Sequence, residues 1–198
     1  MTDPPYRTIS GGNAPTDRNG YPSSVLHRND GKIFDHNEVK PQEWFPMLFN
    51  LLKPGGHAYV MTNNLNLELF LATARETGFL FSNLLIWEKN NVNANRWYMK
   101  NTELTLFLQK KPATQINNCG SKQIFKADNP RNKSHPTEKP VALMRHYIEN
   151  STAPGQVVFD PFAGTGSTLV AAQQSCRTWI GCEIDFNYYF NACERLGK

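Results

Sequence analysis

Apolar residues return at helical spacing in Trp44, Phe45, Leu48, Leu51 and Leu52, and the run stops at Lys53-Pro54-Gly55-Gly56. Proline lacks a backbone donor and glycine accepts the left-handed turn that ends a helix. Residues 57–62 then read as a buried strand. A second helix is predicted over roughly 66–77, with Leu67, Phe70, Leu71 and Ala74 on one face and Gly78 as its stop. Strands follow at about 83–88 and 103–108, joined by a polar loop that carries Arg96, Trp97, Tyr98 and Lys100. Pro140 suits the first turn of a helix running to about Ser151. The tail alternates most regularly: strand 156–159, helix 167–175, strand 178–182, helix 186–196. Strands alternating with helices predict an α/β sheet, mostly parallel and covered on both faces.

Two stretches lack this periodicity. Residues 7–40 are rich in Gly, Asn, Asp, Ser and Pro and read as a long loop: a lid, a binding segment or a disordered stretch. Residues 112–134 are polar and irregular. At 198 residues the chain fits a single domain over 1–198, and 39% hydrophobic against 19% charged residues describes a globular protein. The net charge of +4 favours a polyanionic partner only weakly. Four cysteines show no C-x-x-C pair and no histidine at zinc-ligand spacing, so neither a disulfide framework nor a metal is expected. With no signal peptide and no span-length apolar run, the expected setting is the cytoplasm, without a membrane partner.

Asp160-Pro161-Phe162-Ala163-Gly164-Thr165-Gly166-Ser167-Thr168 follows an apolar strand and opens a helix, the context that gives a glycine-rich turn meaning. Gly164 and Gly166 let backbone and ligand approach closely. Glu183 lies at the end of the next strand, 19 residues past Gly164, where a carboxylate can take both hydroxyls of a ribose. This is the layout of an adenosine site. A dinucleotide would call for a third glycine, but position 169 is Leu. A cofactor without phosphates suits the loop better.

Asp3-Pro4-Pro5-Tyr6 fits the chemistry of an aromatic amine. The exocyclic nitrogen of adenine or cytosine is a poor nucleophile because its lone pair is delocalised into the ring. The Asp3 carboxylate and the Pro4 carbonyl, accepting both N–H groups, would localise that pair as the methyl is attacked. Pro5 stiffens the turn, and Tyr6 can stack on a base flipped out of the duplex. Alone, the tetrapeptide is also a plain rigid turn. The adenosine site beside it favours the chemical reading.

With these motifs in hand the chain resembles the amino-group DNA methyltransferases, in the permuted order where Asp-Pro-Pro-Tyr precedes the cofactor loop. His135-Pro136-Thr137-Glu138-Lys139-Pro140 is similar to the segment that precedes the cofactor strand in that family, and Leu52-Lys53-Pro54-Gly55-Gly56 to the turn before a central strand. The resemblance implies a Rossmann-like, S-adenosylmethionine-dependent methyltransferase fold acting on double-stranded DNA with a flipped target base. It implies that Asp3, Pro4, Pro5 and Tyr6 handle the base. It further implies that Asp160, Phe162, Gly164, Gly166, Thr168 and Glu183 meet S-adenosylmethionine, assisted by Thr137 and Lys139. An initial aspartate resembles the adenine-N6 members more than the cytosine-N4 members, in which serine is common. RNA adenine and a protein glutamine amide are rival substrates with a similar N–H pair, and the permuted order argues for DNA.

Several features stay secondary. His135 orders the turn before Thr137, and Cys119 is a bystander without the Pro-Cys setting of carbon-5 enzymes. The Arg96, Trp97, Tyr98, Lys100 loop either contacts DNA or is a solvated loop with Trp97 packed on the sheet. Residues 112–134 leave no room for a large target-recognition domain. Specificity is expected from them, from residues 7–40, or from a partner. Only Met1 and Thr2 precede Asp3, where the family has a central strand. The expectation is therefore an N-terminally shortened chain, weakly active or an inactive remnant. Its strands 57–62 and 156–159 would stand about 9–10 Å apart with a gap between them that neither can pair across.

Overall fold

Two of the connections fix how the strands must run. The computed structural model describes residues 1–5, 39–93, 98–130 and 138–198. Along these the elements are α1 (Pro41–Leu51), β1 (His57–Thr62), α2 (Leu67–Thr77), β2 (Leu80–Asn93), β3 (Lys100–Gln109), β4 (Ile124–Lys126), α3 (Val141–Ser151), β5 (Val157–Asp160), α4 (Ser167–Gln174), β6 (Thr178–Gly181) and α5 (Phe186–Leu196). The link from β2 to β3 is too short for a crossover, so the two form an antiparallel hairpin. The link from β5 to β6 carries α4, so those strands run parallel.

The main sheet has the order β1-β3-β2-β4, with β3 antiparallel to both neighbours and β4 parallel to β2. The α/β class holds. The expected mostly parallel arrangement holds as well: β3 alone among the named strands runs against its neighbours, because the β2–β3 hairpin reverses the chain, while β2–β4, β5–β6 and the Thr2 bridge to β1 are parallel. The short strand β4 inside the segment read as irregular is a correction; its three residues owe their extended form to the β2 edge.

The gap foreseen between β1 and β5 is occupied by the first residues themselves. Thr2 bridges Val60 in the parallel sense, its N–H donating to Tyr59 O at 2.8 Å and its carbonyl accepting from Met61 N at 2.9 Å. On the other side, Met1 N donates to Phe159 O at 3.0 Å. The expectation that neither neighbour can pair across the gap is thus corrected: a two-residue stub bonds to both and delivers Asp3 to the sheet's edge.

Helices cover both faces. Ala58 and Val60 of β1 face α1 and α2, packing with Trp44, Phe45 and Phe70, whereas Tyr59 and Met61 face α3 and α4. Because β1 is buried on both sides it reads as a continuous apolar run. Rings as fully covered as Phe45 and Phe70 contribute roughly 2–3 kcal/mol each. On the α3 face Tyr147 stacks on Tyr59 at 4.8 Å, and Tyr59 on Phe107 at 4.9 Å. Caps set the helix ends. Glu43 accepts the Lys40 N–H at 3.0 Å before α1, Gly78 ends α2 at φ +108°, and Asp185 accepts from Asn187 N and Tyr188 N to open α5.

Candidate active site

The carboxyl ends of the stub, β5 and β6 come together on one side of the sheet, the place where an open α/β sheet binds ligands. Asp160 ends β5 and is 2% exposed. It accepts the Phe162 N–H at 3.1 Å and a hydrogen bond from the Thr168 hydroxyl. Burial pushes its carboxyl above the usual carboxylate range, with those bonds pulling the other way. Asp160 and Thr168, both expected at the cofactor, lie beneath the turn and supply its shape. Phe162 meets Trp44 edge to face at 5.9 Å, which ties the turn to the α1 layer.

The two glycines do different things. Gly166 has φ +81°, and a Cβ there would stand 3.1 Å from the Cβ of Ala192, so it lets α5 approach. Gly164 has φ +53°, and a Cβ there would meet nothing within 4 Å. The space in front of Gly164 is open, as a ligand lying against the backbone requires. Leu169, at the place of the third dinucleotide glycine, is buried against Gly181, where an added Cβ would meet its Cδ1 at 2.5 Å. Helix α4 and strand β6 therefore still approach closely, with the glycine moved to the strand.

Glu183 closes the pocket. Its Oε2 accepts the Gly164 N–H at 2.7 Å, and its Oε1 accepts Ile184 N and Asp185 N, each at 2.9 Å. The carboxylate is held beside the open face of Gly164, and its remaining lone pairs suit hydroxyl donors. This donor and acceptor set fits a neutral ribose and offers no cation for a pyrophosphate.

On the opposite flank, Lys139 is 6% exposed and its Nζ hydrogen-bonds Asp3 Oδ2. The same Nζ stands 3.4 Å from Glu103 Oε2, and Lys89, whose Nζ lies 4.9 Å over the Trp87 ring, pairs with the other Glu103 oxygen. Charges alternate along the row Asp3, Lys139, Glu103, Lys89. Burial alone would push Lys139 down, but the Asp3 and Glu103 carboxylates outweigh it and hold the ammonium above the ordinary lysine value. Burial likewise opposes the Glu103 carboxylate, and Lys139 and Lys89 outweigh it and keep Glu103 below its ordinary value. The resemblance assigned Lys139 to the cofactor; its ammonium is engaged by Asp3.

The neighbouring residue, Glu138, pairs with Arg195 Nη2 at 3.2 Å, while Arg195 Nη1 donates to Thr165 O at 2.8 Å and Thr165 Oγ1 at 3.0 Å. Consecutive residues thus grip the two halves of the site, Lys139 the tetrapeptide and Glu138 the glycine turn. Sequence reasoning missed Lys89, Glu103, Glu138 and Arg195. One signal was available for Glu103: a lone acid at the start of the apolar run Leu104 to Leu108.

Pro4 is buried and Pro5 half-buried behind Asp3. Tyr6, His135, Thr137, Arg96 and Trp97 lie outside the described residues, as does most of the 7–40 segment. Tyr98 is 87% exposed and Lys100 Nζ donates to Asn64 Oδ1 at 3.2 Å, so the described part of that loop faces solvent. Among the described residues no helix is long and apolar enough to cross a membrane.

A family model described as DNA methylase, of the N6/N4 type, matches residues 1–194. The type II methyltransferase M2.DpnII of Streptococcus pneumoniae is 26% identical over 99% of this chain and 81% of its own length. Among solved structures, M1.HpyAVI in complex with S-adenosylmethionine superposes with a TM-score of 0.71 at 29% identity, covering 79% of this chain and 82% of that one. The cytosine-N4-specific PvuII DNA methyltransferase gives the same TM-score at 18% identity over 98% of this chain and 77% of that one, a likeness of fold.

Proposed function

Because this chain belongs to the N6/N4 DNA methylase family, we propose that it methylates the N6 amino group of adenine in double-stranded DNA. It is a DNA methyltransferase that uses S-adenosylmethionine. When bound, that cofactor supplies an electrophilic methyl on a sulfonium, a good leaving group, so that the protein's task is mainly positioning. Gly164 and Glu183 would hold its nucleoside, with Arg195 fixing the turn on which they depend.

Asp3 handles the base. Its carboxylate accepts one amino N–H and the Pro4 carbonyl the other, raising the electron density on nitrogen as it attacks, and Tyr6 stacks on the flipped ring. The observation that carries this reading is the part-buried Asp3–Lys139 pair, on a segment bonded to β5, the strand that leads into the turn where Gly164 has open space before it. The pair holds a charged acceptor in place on the side of the sheet where the glycine turn and Glu183 stand. Aspartate at the head of the tetrapeptide supports adenine over cytosine. Mass spectrometry of digested DNA from cells expressing the protein should reveal N6-methyladenine, absent with Asp3→Ala. Finding N4-methylcytosine would overturn the base assignment and leave the mechanism intact.

A further inference from the structure

Lys139 stands between two carboxylates and is hydrogen-bonded to only one. Its Nζ is bonded to Asp3 Oδ2, while Glu103 Oε2, 3.4 Å away, is buried and accepts no hydrogen bond. A buried carboxylate oxygen without a donor is costly, and here it faces an ammonium a few tenths of an ångström beyond bonding distance. Asp3 must also serve an incoming amino group, and a carboxylate whose charge is already drawn to an ammonium is a poorer acceptor.

We propose that Glu103 is a positioning residue for methyl transfer, serving as a second acceptor to which the Lys139 ammonium moves so that Asp3 is freed for the target amino group. The inference rests on the reading of Asp3 as the base-handling residue. In the exchange one N–H···O bond is given up as another forms, and no charge leaves the row. Lys89 anchors Glu103 from β2 and completes the neutral sum of two acids and two bases. The groups facing Lys139 among the described residues are Asp3 from the N-terminal segment and Glu103 from β3; Lys89 of β2 faces Glu103, and the adjacent Glu138 is taken by Arg195 of α5.

The test uses the full chain with tritiated S-adenosylmethionine and unmethylated phage DNA of mixed sequence. Glu103→Gln should lower kcat by about 10- to 100-fold, the range expected of a misplaced reacting group. KM for the cofactor should stay within about twofold. Glu103→Gln should also introduce an alkaline limb in kcat that the unaltered protein lacks, because burial then opposes only Asp3 in keeping Lys139 charged. Glu103→Asp keeps the charge but draws it back, so it should lose kcat by a smaller factor and show no alkaline limb. If Glu103→Gln does not fold, Glu103→Asp decides alone, and an unchanged kcat there overturns the proposal. So does a Glu103→Gln protein whose kcat and pH profile are unchanged, or whose loss is uniform with pH and not relieved in Glu103→Asp. Asp3→Asn separates the two ideas. If it is inactive while the Glu103 variants behave as the unaltered protein, the positioning role fails; if Asp3→Asn is fully active, the reading of Asp3 itself fails.

Discussion

A carboxylate that accepts three backbone N–H groups, as Glu183 does from Gly164, Ile184 and Asp185, shapes a loop as well as offering itself to a ligand. Glu183→Ala is therefore expected to remove both services. Charge-assisted bonds to two ribose hydroxyls and the lost brace on Gly164 together correspond to roughly 2–3 kcal/mol, or about 30- to 150-fold in Kd for S-adenosylmethionine. Isothermal titration reads this, and unchanged affinity would remove Glu183 from the pocket. The sequence alone singled this residue out as a candidate, because strand, glycine turn, helix, strand and acid are local in the chain. It could not locate the partner of Lys139, since Asp3 lies 136 residues away and no spacing rule links them. Nor could it separate Asp160 and Thr168, which shape the turn from below, from Gly164 and Glu183 on its open side; burial makes that division and the one-dimensional motif does not.

Among the secondary-structure elements, the two glycines of the turn give opposite expectations for one and the same substitution. Gly166→Ala meets a positive φ and the Ala192 methyl at 3.1 Å, where α4 and α5 close on each other. Left-handed strain of about 1–2 kcal/mol plus overpacking should lower the melting temperature. Gly164→Ala has the same kind of strain but open space around it. Its added methyl stands where the cofactor would lie, so affinity should fall more than stability. Thermal melts and titrations of both variants check this, and a Gly164→Ala protein with ordinary cofactor affinity would contradict the pocket. Amphipathic runs made the helices legible, and the apolar run Leu84 to Trp87 marked the middle of β2. Its polar extension Lys89 to Asn93 was invisible because pairing with β3, reached again at Asn93 opposite Lys100, holds it extended. The hairpin was not legible for the same reason: strands at 83–88 and 103–108 leave 14 residues between them, room for a crossover, and only the extension of β2 to Asn93 and of β3 back to Lys100 makes the link short.

For the molecule as a whole, two half-buried histidines tie stability to pH. His57 lies between Ser151 Oγ at 2.7 Å and Thr114 Oγ1 at 2.8 Å, and His146 packs on Phe125 at 4.9 Å. Burial lowers both, opposed by a bond from the ring to the Thr114 carbonyl in the first and by the Glu149 charge in the second. Their folded values lie below the unfolded value of about 6.5, so their contribution is complete above that pH and is lost as pH falls through the folded values. The melting temperature should therefore decline from pH 7 toward pH 5. A His57→Gln, His146→Gln double variant should show a shallower decline, and an identical slope would exclude these two groups as the cause.

The row of charges that begins at Asp3 also bears on time. Its first link joins residues 3 and 139, and the stub beside it reaches from Met1 to Phe159, a separation of 158. Contacts that close so much chain form late, because loop entropy must be overcome before they return any stabilisation. The cofactor turn, by contrast, is contained between Asp160 and Glu183. In refolding from denaturant, helical circular dichroism and S-adenosylmethionine binding should recover before methyl transfer does. During synthesis, Asp3 can meet the lysine that holds it only after the 136 residues of chain that part them have been made.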